Sequence, residues 1–82
     1  MSESETLVHH LDARRLLCPL PVIKTQNAVK QLASGTIVQV TATDPGVLHD
    51  IPAWCRVHGH EVLLAEKNDE EVLVRLLVNK KG

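Results

Sequence analysis

The sequence predicts an α/β fold: a two-layer βαβαββ sandwich in which a four-stranded mixed sheet carries two helices on one face. Three observations predict it. Two passages read strand, helix, strand, and such crossovers join parallel strands. The last two strand-like runs, residues 60–66 and 71–78, are separated only by the polar stretch 67–70, which argues for an antiparallel hairpin. The 82 residues, with 44% hydrophobic and 23% charged content, make one small globular domain over 1–82, with no visible linker or repeat.

Residues 1–5 are polar and acidic, the opposite of a signal peptide, and read as a disordered tail. A strand is expected over 6–13 and a connection over 14–17. Val22, Thr25, Val29, Leu32 and Ala33 recur at helical spacing within a helix over 19–33, with Ser34 and Gly35 as its stop. Residues 36–43 form the clearest strand, with Val38, Val40 and Ala42 on one face and Gln39 and Thr41 on the other. Asp44 and Pro45 read as a helix cap and first position. Pro52 would remove a hydrogen bond from an unbroken helix, so a short turn is expected, then a helix restarting near Asp50 or Ile51. Ile51, Trp54, Cys55 and His58 share one side of it, Gly59 ends it, and residues 79–82 read as a tail.

Composition narrows the function classes. Trp54 is the only aromatic residue besides the histidines, so the core must be aliphatic. A net charge of −1 and no Phe or Tyr argue against direct nucleic-acid binding, which uses basic surfaces and stacking platforms. No apolar run approaches the roughly 20 residues of a membrane span. Two distant cysteines make no disulfide framework, and a thiol-reducing, cytoplasmic setting fits them best. His9-His10 and His58-Gly59-His60 lack the spacing of a structural zinc site, and no metal or cofactor is expected.

The chemistry concentrates at Cys18-Pro19-Leu20-Pro21, where a strand-like run gives way to a helix. A cysteine at a helix N-terminus meets free N–H groups and the positive end of the dipole, which lower a thiol's pKa and favour the reactive thiolate. Arg14 and Arg15, if they fold back, and Lys24, one turn into the helix, would add to that effect. Pro19 and Pro21 stiffen the first turn. Asp12 is placed to orient the loop by accepting backbone N–H bonds, and a solvated strand end serves it equally well. On the residues alone, Cys18 is as readily a small buried hydrophobe as a nucleophile. Cys55 reads as core packing, Asp44 and Asp50 as helix caps, and 69–71 as a solvated acidic turn.

The stretch from Leu11-Asp12 through Cys18-Pro19-Leu20-Pro21 resembles the signature of the TusA/SirA-like sulfur-carrier family. Asp44-Pro45, Asp50-Ile51-Pro52, Trp54-Cys55 and Gly59-His60-Glu61-Val62 resemble its second helix and following strand. The resemblance spans nearly all of 7–78 and implies the same βαβαββ sandwich. It implies that Cys18 accepts sulfane sulfur as a persulfide from a cysteine desulfurase or another persulfide donor and passes it to a downstream acceptor protein. The acceptors would serve tRNA thiolation, molybdenum-cofactor enzymes or sulfur metabolism. One departure stands out: the family commonly has Gly where this chain has Arg15. If that position takes a positive φ, Arg costs energy or redirects the loop. A regulatory or RNA-binding module is the alternative from another class, and a thiol redox sensor a third.

Overall fold

The computed structural model describes residues 8–80. The expected tail at 1–5 and the expected strand start at Thr6 and Leu7 lie outside the described residues, as do Lys81 and Gly82. The order is β1 (Val8–Ala13), α1 (Leu20–Lys30), β2 (Ile37–Ala42), α2 (Val47–His58), β3 (Glu61–Asn68) and β4 (Glu71–Leu77). The sheet order is β1-β2-β4-β3. β1 and β2 are parallel, while β4 runs antiparallel to both β2 and β3. The expected α/β architecture is therefore what the chain adopts, with β4 inserted between the two strands that α2 connects.

Alternation in the strands decides which face is covered. Val38, Val40 and Ala42 are wholly buried, as the period of two requires, and Val72, Val74 and Leu76 of β4 pair with them across the sheet. Val29 of α1 and Val47, Ile51 and Cys55 of α2 complete the core on that face. Among the described residues Thr25 is its one buried polar residue, and its hydroxyl is satisfied by donating to the Pro21 carbonyl at 2.8 Å. Full burial of Ile51 or Leu76 contributes on the order of 2 kcal/mol each.

The helices differ from expectation at their ends. α1 stops at Lys30 rather than at 33, and Gly35 takes its positive φ of 96° in the turn beyond, where its N–H donates to the Val78 carbonyl at 2.9 Å. α2 does not wait for Asp50. It begins at Val47, runs through Pro52 without a break, and ends at the left-handed Gly59. The Asp44–Pro45–Gly46 turn starts it: the Val47 N–H donates to the Asp44 carbonyl and the Leu48 N–H to the Pro45 carbonyl. Proline forfeits the bond its own N–H would have made and crowds the carbonyl four residues back, and burial of Val47, Ile51 and Cys55 on one side offsets that cost. Residues 79 and 80 are not a free tail: the Asn79 N–H donates to His60 Nδ1 and the Lys80 N–H to Ser34 Oγ. Among the described residues, no helix is long and apolar enough to cross a membrane.

Candidate functional site

β1 and β2 run in the same direction, so their carboxyl ends lie side by side. The loop after β1 carries Cys18, and the loop after β2 carries Thr43 and Asp44. In open α/β sheets this end of parallel strands is where binding residues gather. Cys18 is exposed, Cys55 is buried, and neither is in a disulfide. The buried reading of Cys18 is thus set aside, and the core reading of Cys55 holds. Pro19 is the N-cap of α1, with Leu20 as the first helical residue. Pro21, in the first turn, is buried and anchors the helix start against the core. The Cys18–Pro19 peptide bond is cis. The Leu20 N–H donates to the Leu17 carbonyl at 2.8 Å, closing a tight turn around the cysteine.

The charges around the thiol are opposite in sign to those expected. Cys18 Sγ donates to Asp50 Oδ2 at 3.1 Å, and the Cys18 N–H donates to Asp44 Oδ2 at 3.2 Å. The hydrogen bond to Asp50, desolvation, and the negative charges of Asp50 and Asp44 push the Cys18 thiol above its ordinary range. The expected lowering by the helix end and nearby cations is therefore overturned. Arg14 is engaged elsewhere, with Nε 2.9 Å from Asp12 Oδ1 and Nη1 3.6 Å from Glu71. Lys24 Nζ donates to the Asp12 carbonyl at 2.6 Å and so ties α1 to the end of β1. Asp12 holds the loop as expected: its carboxylate accepts the Arg14 N–H at 3.0 Å as well as the guanidinium. That pairing drops its carboxyl well below the usual carboxylate range.

Arg15 takes a φ of 68°, the left-handed region that glycine enters freely. The arginine therefore holds a conformation that carries a strain glycine would not have. Its N–H donates to Thr43 Oγ1 at 2.8 Å, which stitches the β1 loop to the β2 loop. Asp12, Arg14, Arg15, Thr43 and Glu71 line a polar hollow of about 290 Å³ beside this stitch.

Asp44 and Asp50 were legible only as helix caps. Asp44 does accept the Gly46 N–H at 3.0 Å through Oδ1, although the N-cap itself is Gly46. What the sequence could not show is that both acids fold back over a cysteine more than two dozen residues upstream. The histidines are scattered: among the described residues, no three His, Cys, Asp or Glu side chains are grouped as a metal site. His58 and His60 instead flank Trp54, with ring centroids 5.0 and 5.1 Å from it.

Comparison with known proteins identifies the family. The family model described as "Sulfurtransferase TusA" matches residues 9–80. The chain is 40% identical over 70 residues to YrkI of Bacillus subtilis (strain 168), whose name marks it as a candidate sulfur carrier; the match covers 85% of this chain and 91% of that protein. It is 42% identical over 72 residues to the sulfur carrier protein TusA of Pseudomonas aeruginosa (strain LESB58), covering 88% and 89% respectively. In fold it is similar to the crystal structure of a SirA-like protein from Desulfitobacterium hafniense, with a TM-score of 0.76, 21% identity, and coverage of 90% of this chain and all of that one. A match over nearly the whole domain and two relatives near 40% identity agree: the chain belongs to the TusA sulfurtransferase family.

Proposed function

We propose that this protein is a sulfur carrier that takes up sulfane sulfur on Cys18 as a persulfide and delivers it to an acceptor protein. The observation that carries the reading is an exposed thiol held at the head of α1, in a domain whose family is that of sulfurtransferase TusA. The donor is a protein persulfide, of which a cysteine desulfurase is the usual source. The Cys18 thiolate attacks the outer sulfur of the donor persulfide. A new S–S bond forms at Sγ as the donor's S–S bond breaks, and the donor cysteine leaves with the electron pair. In delivery, an acceptor thiolate attacks the outer sulfur and Cys18 is the leaving group. The sulfane sulfur moves without an external oxidant, so no cofactor is required.

Acceptor pathways consistent with the family are tRNA thiolation, molybdenum-cofactor enzyme maturation and sulfur metabolism, in a reducing cytoplasm. Protein partners are expected on the surface around Cys18, where Leu17, Leu20 and Ile23 are exposed at 72%, 49% and 45%. Apolar side chains that stand out beside a reactive group are typical of a transient docking surface. Radiolabelled cysteine supplied with a cysteine desulfurase tests the reading. Label should transfer to the wild-type chain in a reductant-labile form and not to Cys18→Ser; equal labelling of both would refute it.

A further inference from the structure

We propose that Asp50, with Asp44 behind it, is a carboxylate latch that withholds the Cys18 thiolate in the free protein and opens when a docking partner sets a cationic side chain against the two acids. This rests on Cys18 being the carrier thiol, but the latch itself is a property of the free chain. Its basis is geometric. Asp50, half-buried in the first turn of α2, accepts the Cys18 S–H at 3.1 Å. Asp44, from the loop between β2 and α2, is held against the Cys18 backbone N–H at 3.2 Å and is itself fixed by the Gly46 N–H. Asp50 thus meets the sulfur and Asp44 the backbone of the same residue, both from outside its own loop.

Among the described residues, no Lys or Arg forms an ion pair with either acid. On the cysteine's own loop, Arg14 is bound to Asp12 and faces Glu71 of β4. Arg15 makes no ion pair with the described residues, and Lys24 of α1 is directed at the Asp12 carbonyl. His49, beside Asp50, is exposed and makes no hydrogen bond with Cys18 among the described residues. A hydrogen bond to a carboxylate stabilises S–H over S⁻, and a neighbouring negative charge does the same through space. The direction in which the Cys18 thiol is pushed agrees.

A carrier gains from such a latch. A thiolate is the form that is oxidised and alkylated, so a thiol kept protonated is protected while it travels between partners. Docking over Leu17, Leu20 and Ile23 would strip water from Asp44 and Asp50, and a buried unpaired carboxylate is costly. A Lys or Arg from the partner relieves that cost. The neutralised acids then release the Sγ proton to solvent, and Sγ attacks the donor's outer sulfur. The departing donor thiolate takes up a proton, so protons, atoms and electrons balance. The partner class this fits is a protein with an apolar contact surface and at least one basic side chain at its centre.

The latch is tested on the free protein with iodoacetamide, a neutral reagent whose access the acids do not repel. Rates are measured across the thiol's titration range for wild type, Asp50→Asn and Asp50→Ala. Both variants should react at Cys18 several-fold faster at neutral pH, with the midpoint of the profile moved to lower pH and the high-pH plateau unchanged. Labelling of Cys55 in the same digests reports folding, because Cys55 is inaccessible while the core is intact. A hexa-arginine peptide at low salt should accelerate wild type several-fold, lose its effect in high salt, and leave Asp50→Asn unaffected. Variant profiles superimposed on wild type would overturn the latch, and a peptide without effect would overturn its opening by a cation. Neither outcome depends on sulfur loading, so failure of the latch and failure of the carrier reading are separable.

Discussion

Cys18 and Asp50, 32 residues apart in sequence, share a hydrogen bond of 3.1 Å at the surface of the domain. The bond joins the loop after β1 to the first turn of α2, so the two βα connections are fastened to each other through the cysteine. A serine keeps a donor at that position. Cys18→Ser should therefore fold with its stability within about 0.5 kcal/mol of wild type, as an exposed substitution that removes no core contact. Equilibrium urea denaturation checks this, and it secures the interpretation of any loss of sulfur transfer.

The left-handed Arg15 yields a paired prediction. Relief of a non-glycine residue from positive φ is worth about 1–2 kcal/mol, against about 0.5–1 kcal/mol for the greater freedom of glycine in the unfolded chain. Arg15→Gly should therefore stabilise the domain by roughly 0.5 kcal/mol. Arg15→Val, β-branched at φ 68°, should destabilise it by about 1 kcal/mol or more. Urea midpoints of the two variants should fall on opposite sides of wild type.

Cys55 makes stability depend on pH at the alkaline end. Burial pushes its thiol up to about 11, from an ordinary value near 9 in the unfolded chain. The folded value is the higher one, so the protonated form is favoured by folding. Its contribution is fully present below pH 9 and lost progressively as pH rises from there through about 11. The loss is on the order of 2–3 kcal/mol. Unfolding free energies measured from pH 8 upward should fall steeply in wild type and less so in Cys55→Ala, and parallel curves would contradict the assignment.

In the core, Ile51 is wholly buried on α2, the crossover from β2 to β3. Ile51→Ala should cost about 2–5 kcal/mol, a large share of what a domain this small has available. Thermal unfolding followed by circular dichroism measures it. Leu17→Ala, at a side chain 72% exposed, should leave the transition nearly unmoved while weakening association with a sulfur donor.

The fold was legible because its signals are local. Val38, Val40 and Ala42 alternate with Gln39 and Thr41, and that period alone places β2 with one face in the core. The short polar turn before β4 gave the hairpin, and the two βα passages gave the crossovers. Pro52 misled because its cost is local too, whereas the gain that offsets it, packing of α2 on β3 and β4, appears only in three dimensions. At the site, the Cys18-Pro19-Leu20-Pro21 motif at the head of α1 and the cost carried by Arg15 were readable from single positions. The charge balance around the thiol was not. Arg14 and Lys24 look like cations near a cysteine in sequence, but Asp12 draws both away through its carboxylate and its carbonyl. Asp44 and Asp50 look like distant helix caps, yet they are the groups that meet Cys18.

The most direct test of the account is peptide-level mass spectrometry of the purified chain after incubation with a cysteine desulfurase and cysteine. The peptide containing Cys18 should gain one sulfur atom, removable by reductant, while the peptide containing Cys55 gains none. Sulfur found on Cys55 instead, or no gain with several desulfurases while Cys18 remains alkylatable, would contradict the carrier role assigned to Cys18.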